Sequence, residues 1–437
     1  MVPGALPGRA AHRELRRVLR IAGLVLGLTA LIVLAVPFGR RARLPLPATV
    51  HGRAALQVRS DAPIEVGAQR VTIEVPHGAA LAGYAGRRRA EADGRVYVRA
   101  LVLRSGALRA VIVALDALLV SADLEEEVLR RAQLPPRTCL LLAATHTHSG
   151  PGGTWDNELA ELAGNGPFDR AMRDSVAQAV ADAIRAALGY LRTGRFAVAQ
   201  VEWADGPAVV RSAGPVDPTL LAVQARDEAG VVVATLVVYA MHPTVLPASS
   251  RVPSGDWPGA AAHAIEHDTQ APALVLQGAG GNATWSRDGL PADRLAAAEA
   301  LGNRVARRAL DLLQTAAWTD GAPLSCSVTL HSLPPAQASA RVPWPLRRGA
   351  SNLLALWADP FAVRTRLALG GLHFGGVPGE PVGSLALAGT SERLVGVADG
   401  YVGYVEDPAR AAKGEGESAR TYYGPGLARA LDLLEER

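Results

Sequence analysis

The sequence predicts a mixed α/β fold: a multi-stranded β-sheet core covered by α-helices, with a metal site at strand ends and one N-terminal transmembrane helix ahead of it. Three observations carry that expectation. Runs of Val, Leu and Ile alternate with Ala-rich stretches whose apolar positions recur every three or four residues. Several of the apolar runs stop at a His, Glu or Tyr in a Gly- and Pro-rich loop, which is where α/β sheets build their sites. An uncharged segment near the N-terminus is flanked on both sides by arginines.

The elements follow in chain order. Residues 1–20 are basic. Residues 21–38, IAGLVLGLTALIVLAVPF, can just span a bilayer core as a helix at about 1.5 Å per residue. Five arginines precede the segment and Arg40, Arg41 and Arg43 follow it, an excess that favours an N-terminus in the cytoplasm. A signal anchor then leaves the remainder outside the cytoplasm, periplasmic or extracellular. A cleaved signal peptide is the rival, and would leave the protein secreted; the apolar run is long for one and AVPFGRR is a poor small-x-small cleavage site. Residues 39–62 read as a linker, and 63–437 as one domain with no compositional break.

Within that domain the strand candidates are 95–106, 108–117, 138–145, 195–204, 220–227, 231–242, 273–279, 326–333, 367–377 and 391–399. Helices are expected at 121–134, 168–191, 257–268, 292–316 and 424–436. A hydrophobic share of 49% suits a sizeable core, built mostly of aliphatic residues because aromatics make up only 5%. Residues 1–43 hold eight arginines against Glu14, a net +7, so the overall +4 leaves the rest of the chain at −3. Nothing in that balance suggests a nucleic-acid surface. Cys139 and Cys326 form no CxxC pattern. Cys139 reads as a buried core residue, and a disulfide to Cys326 stays open for an exported chain.

The chemistry gathers around LLLAATHTHSGPGG. In an extended chain His146 and His148, two residues apart, point to one side and can face one metal. The bland alternative is a polar pair at a strand end. His242 closes a very apolar strand in YAMHPT, and Pro243 restricts its backbone. Glu380 in PGEP either reaches the same point or simply complements a helix dipole. Tyr401 and Tyr404 end another run. HAIEH, His263 to His267, has the spacing of an inverted zinc-protease motif, but its short helix makes a solvated face the better reading. QGAGGNATW lacks the Gly-Lys-Ser/Thr of a P-loop, and its Asn-Ala-Thr reads as a chance sequon.

ATHTHSGPGG resembles the signature of the neutral, non-lysosomal ceramidase family. AGYAG, VALDALLVS, RSAGPVDPTLLAVQARDEAG, VVYAMHPT, SGDWPG, LQGAGGNAT, PGEP and YVGYVEDP follow in family order across about residues 75–425. The resemblance implies a zinc amidase that cleaves the N-acyl bond of a ceramide-like lipid with water activated at the metal. It implies Zn2+ held by His146, His242, Glu380 and Tyr404, with His148 and Arg211 facing substrate. His148 is then the proton handler, Tyr404 also assists at the oxyanion, and Asp116 is the candidate to orient a ligand histidine. The implied partners are an N-acyl lipid and the membrane, reached through the N-terminal helix. The chain departs from the family where Ala283 replaces a loop serine, Gly281 an aspartate and Gly414 a tyrosine, and it ends without the C-terminal immunoglobulin-like domain. Those departures leave open a different amide or ester substrate, or a catalytically silent exported metal-binding protein.

Overall fold

The computed structural model describes residues 18–27, 56–84, 88–389 and 391–434. Residues 18–27 are helical, yet among the described residues no helix is long and apolar enough to cross a membrane. The expected transmembrane helix is therefore not borne out there, and residues 28–38 of that expectation lie outside the described part.

The strands that organise the fold are β1 (Leu56–Ser60), β2 (Ile64–Val75), β3 (Gly94–Ser105), β4 (Leu108–Leu115), β5 (Thr138–Ala144), β6 (Arg192–Glu202), β7 (Thr219–Asp227), β8 (Val232–Tyr239) and β9 (Ala273–Gln277). They continue with β10 (Leu324–Ser332), β11 (Phe361–Leu369), β12 (Leu372–Gly376) and β13 (Arg393–Val395). The covering helices are α1 (Ala122–Ala132), α2 (Arg170–Gly189), α3 (Asp256–Thr269) and α4 (Arg294–Gln314).

The larger sheet runs β9-β8-β7-β6-β2-β3-β4-β5, with Trp318–Thr319 paired beside β6. It is antiparallel in its interior, and its outermost pairs, β4–β5 and β8–β9, are parallel. The smaller sheet runs β1-β10-β11-β12-β13. Alternation along the strands divides the core. On one side Val111, Val113, Leu140 and Leu142 pack against α1 and α2, and Val237, Val275 and Ala222 against α3 and α4. The opposite residues, Ile112, Leu141, Leu236 and Leu276, meet Val328, Leu367 and Phe374 of the smaller sheet. Helices, large sheet and small sheet are thus stacked layers, each interface built by a period-two choice of side chain.

The helix starts follow capping chemistry. Ser121, Asp169 and Asp293 accept from backbone N–H groups of the first turns of α1, α2 and α4. Cys139 in β5 and Cys326 in β10 form a disulfide between the two sheets.

Four expectations are corrected. The run 367–377 is a hairpin rather than one strand: Gly370 adopts φ 59° and β12 returns antiparallel on β11. Leu56–Ser60, expected in the linker, pairs with β10. β2 was absent from the expected strands. Residues 424–436 do not form one helix: a 3₁₀ turn leads to the single turn Leu427–Ala430, and Asp432 at φ 49° ends it.

Candidate metal centre

The sequence motif places His146 two residues past β5, but not in extended conformation. His146 has φ 65°, in the left-handed region that non-glycine residues rarely enter. The neighbours hold it there. Thr145 donates its N–H to Leu115 at 2.8 Å, and the Thr147 hydroxyl donates to the Ser254 carbonyl at 2.7 Å. The rings of His146 and His148 still meet, 5.0 Å apart and edge to face, through this turn rather than through strand alternation.

A second path brings His242, just beyond β8, to the same point: its ring centroid lies 4.7 Å from that of His146 and 5.1 Å from that of His148. A third brings Glu380 and Tyr404, because Glu380–Pro381 and Tyr404–Val405 pair as a short parallel ladder in which Glu380 stands opposite Tyr404. Glu380 Oε2 is 3.1 Å from His146 Nε2 and 3.9 Å from His242 Nδ1. The three histidines can each turn a ring nitrogen within 4.8 Å of the others, the spacing of a metal-ligand cluster.

His146 Nδ1 lies 2.7 Å from the Leu118 carbonyl. A carbonyl only accepts, so Nδ1 carries the proton and Nε2 presents its lone pair. Leu118 O, and not Asp116, therefore orients this histidine. Asp116 Oδ2 instead accepts from the Tyr97 N–H at 3.1 Å and from Arg99 at 3.3 Å. His146 Nε2, both ring nitrogens of His148 and Glu380 Oε2 are buried without a hydrogen-bond partner. Buried polar groups are rarely left so, and four at one point fit the lining of a cation site. Burial, aided by His146, pushes the His148 imidazole down to about 3, and burial also holds His242 well below its ordinary value. Burial would raise the Glu380 carboxyl, but His146 and His242 outweigh it and keep the group ionised. The neutral His242 imidazole and the ionised Glu380 carboxylate are in the state a metal requires.

Arg211 reaches the centre from the side. It donates to the Tyr404 hydroxyl at 3.0 Å and to the Gly281 carbonyl at 2.6 Å, and lies 3.4 Å from His242 Nε2. It is anchored by Glu417 at 2.9 Å. Burial and the Glu380 carboxylate hold the Tyr404 phenol well above its ordinary value. The structure thus gathers all six sequence-expected residues at one place.

Other contributors were missed. Asn282, fully buried, donates to the Ala213 and Pro215 carbonyls and accepts from the Gly383 N–H, fastening the Arg211, Gly281 and Glu380 segments together. In sequence its Asn-Ala-Thr reads as a chance sequon, and the burial of Asn282 agrees with that. Glu417 had no motif. Tyr401 stood in the YxxY pattern without a role; its hydroxyl donates to Glu380 Oε1 at 2.6 Å. HAIEH is structural: Glu266 pairs with Arg99 and Arg70, while His267 is exposed beside Asp268.

Ala283 is fully buried. A Cβ at Gly281 would stand 2.6 Å from the Glu380 carbonyl, so this chain has no room for a side chain there.

Comparison with known proteins gives a similar fold. The crystal structure of neutral ceramidase from Pseudomonas aeruginosa has a similar fold, with TM-score 0.69 at 20% identity over 86% of this chain and 74% of that one. A structure of a ceramidase complexed with C2 gives TM-score 0.69 at 19% identity over 85% and 74%. Residues 64–280, which carry His146, His148, Arg211 and His242, match the family model described as neutral/alkaline non-lysosomal ceramidase, N-terminal. Over residues 64–280 the chain belongs to the neutral/alkaline non-lysosomal ceramidase family.

Proposed function

We propose that this protein is a zinc-dependent amidohydrolase that cleaves the N-acyl bond of a ceramide-like lipid. The observation that carries the reading is the set of unpartnered buried atoms, His146 Nε2, the His148 nitrogens and Glu380 Oε2, gathered with His242 around one point. Imidazole and carboxylate donors suit zinc, with His146, His242, Glu380 and Tyr404 as the residues that would hold it. When bound, zinc supplies Lewis acidity and lowers the pKa of water to about 7.

The chain's own residues divide the remaining work. His148, neutral and held against the Tyr84 ring, offers one lone pair and one N–H. It takes the proton of the attacking water and passes one to the departing amine nitrogen. Arg211, donating to the Tyr404 hydroxyl, keeps that hydroxyl aimed at the reacting carbonyl and balances the charge that grows on its oxygen. Burial of the cluster keeps bulk water away from these charges.

Buried Ala283 and crowded Gly281 favour a second reading of the substrate, a different linear amide or ester, because the loop lacks the polar side chains found in the ceramidase pattern. A panel of N-acyl sphingoid bases, N-acyl amino acids and simple esters, each run with and without a chelator, separates them. Chelator-sensitive release of fatty acid from the sphingoid amides supports the first reading, and preference for another amide or ester supports the second. No turnover of any substrate by zinc-loaded protein contradicts both.

The site is proposed to work outside the cytoplasm. The arginine-flanked segment and the Cys139–Cys326 disulfide, a bond of oxidising compartments, support that placement.

A further inference from the structure

We propose that Tyr401 is a positioning residue that decides which oxygen of Glu380 faces the metal, an inference that rests on the zinc reading above. Its hydroxyl donates to Glu380 Oε1 at 2.6 Å, a short bond to a charged acceptor. The other oxygen, Oε2, has no hydrogen-bond partner and is the one that approaches His146 and His242. The two oxygens of this carboxylate are thereby made unequal: one is spoken for by the protein and one is left for a cation.

The position of Tyr401 is itself fixed. Its ring packs edge-on against Trp155, which follows the Ser-Gly-Pro-Gly-Gly loop, with centroids 6.2 Å apart. Three residues on, Tyr404 stands opposite Glu380 in the short ladder. The YxxY spacing therefore delivers two phenols to one carboxylate region. Tyr404 is tied to Arg211, and Tyr401 has its bond to Glu380. Without the Tyr401 donor the carboxylate could rotate about its terminal bond, which is broad and roughly two-fold. Outer-shell partners of this kind typically contribute 10–100-fold to metal affinity.

The test is the zinc affinity of full-length parent and Tyr401→Phe, measured by competition with a chromophoric chelator, together with the visible spectrum of the cobalt-substituted proteins. Tyr401→Phe keeps the ring against Trp155 and removes only the donor. The expected result is a Kd raised about 10–100-fold, with a shifted cobalt spectrum and an unchanged melting temperature for the metal-free protein. Tyr401→Met, which fills the space without a donor, gives the same comparison should the phenylalanine variant misfold. A variant that melts earlier when metal-free but binds zinc within twofold of the parent overturns the inference and leaves the zinc reading standing. A folded parent that binds no zinc overturns both.

Discussion

At position 146 the backbone enters the left-handed region, and this single residue converts the end of β5 into a metal-facing turn. The Leu118 carbonyl selects the tautomer of its ring, and the turn aims the free nitrogen at Glu380. His146→Ala is expected to abolish retention of zinc and hydrolysis together, measured by metal analysis of purified protein alongside turnover; a variant with full zinc and full rate contradicts the ligand assignment. Gly281→Ala tests the crowding beside Glu380. Its Cβ would meet the Glu380 carbonyl at 2.6 Å and that of Pro381 at 3.0 Å. A loss of about 1–3 kcal/mol in denaturant unfolding is expected, with weaker zinc retention. The residues that mark strand ends were legible because a His or Glu closing an apolar run is conspicuous in sequence. The left-handed turn was not, since it is imposed by Thr147 bonding to Ser254, more than a hundred positions away. Asn282 and Glu417 were hidden for the same reason: their partners are distant backbone and an arginine brought in by the fold.

At the scale of elements, α3 begins on a buried carboxylate. Asp256, at φ 52°, accepts from the Trp257 N–H at 2.7 Å and from the Leu246 N–H at 3.0 Å. Burial outweighs these bonds and raises its carboxyl to about 6. The folded state therefore holds the proton more tightly than the unfolded chain does. The stabilisation is complete below about pH 4, the ordinary carboxylate value, and is lost as pH rises through about 6. Asp256→Asn is expected to flatten the dependence of melting temperature on pH between 4 and 7, whatever it does to the absolute value. An unchanged slope contradicts the assignment. Most elements were visible as patterns, and α1 to α4 lie within two residues of their expected bounds at either end. β2 escaped because IEVGAQRVTIEV interrupts its alternation with Gly, Gln and Arg. The β11–β12 hairpin escaped because LALGGLHFGGV reads as one apolar run. The C-terminal segment has helical spacing but packs as separate turns over the Val382, Val402 and Val405 cluster.

At the scale of the molecule, two sheets are held together by a shared apolar layer and by one covalent tie. The disulfide joins β5, which leads into His146, to the smaller sheet and closes a separation of 187 residues. Replacing both cysteines by alanine is expected to cost about 2–5 kcal/mol in denaturant unfolding, while zinc affinity stays near that of the parent because neither sulfur lies among the metal-facing groups. A double variant as stable as the parent contradicts that role. The pairing was open in sequence because two cysteines so far apart say nothing of which strands adjoin.

The His146, His242, Glu380 and Tyr404 cluster is proposed to make this chain a zinc hydrolase of N-acyl lipids. Its most direct test is a zinc titration of chelator-stripped protein, following release of fatty acid from a short-chain ceramide. No release is expected without metal, and with it a rate that rises linearly and saturates near one zinc per chain. A rate indifferent to chelation, or no release at any zinc level from folded protein, would contradict it.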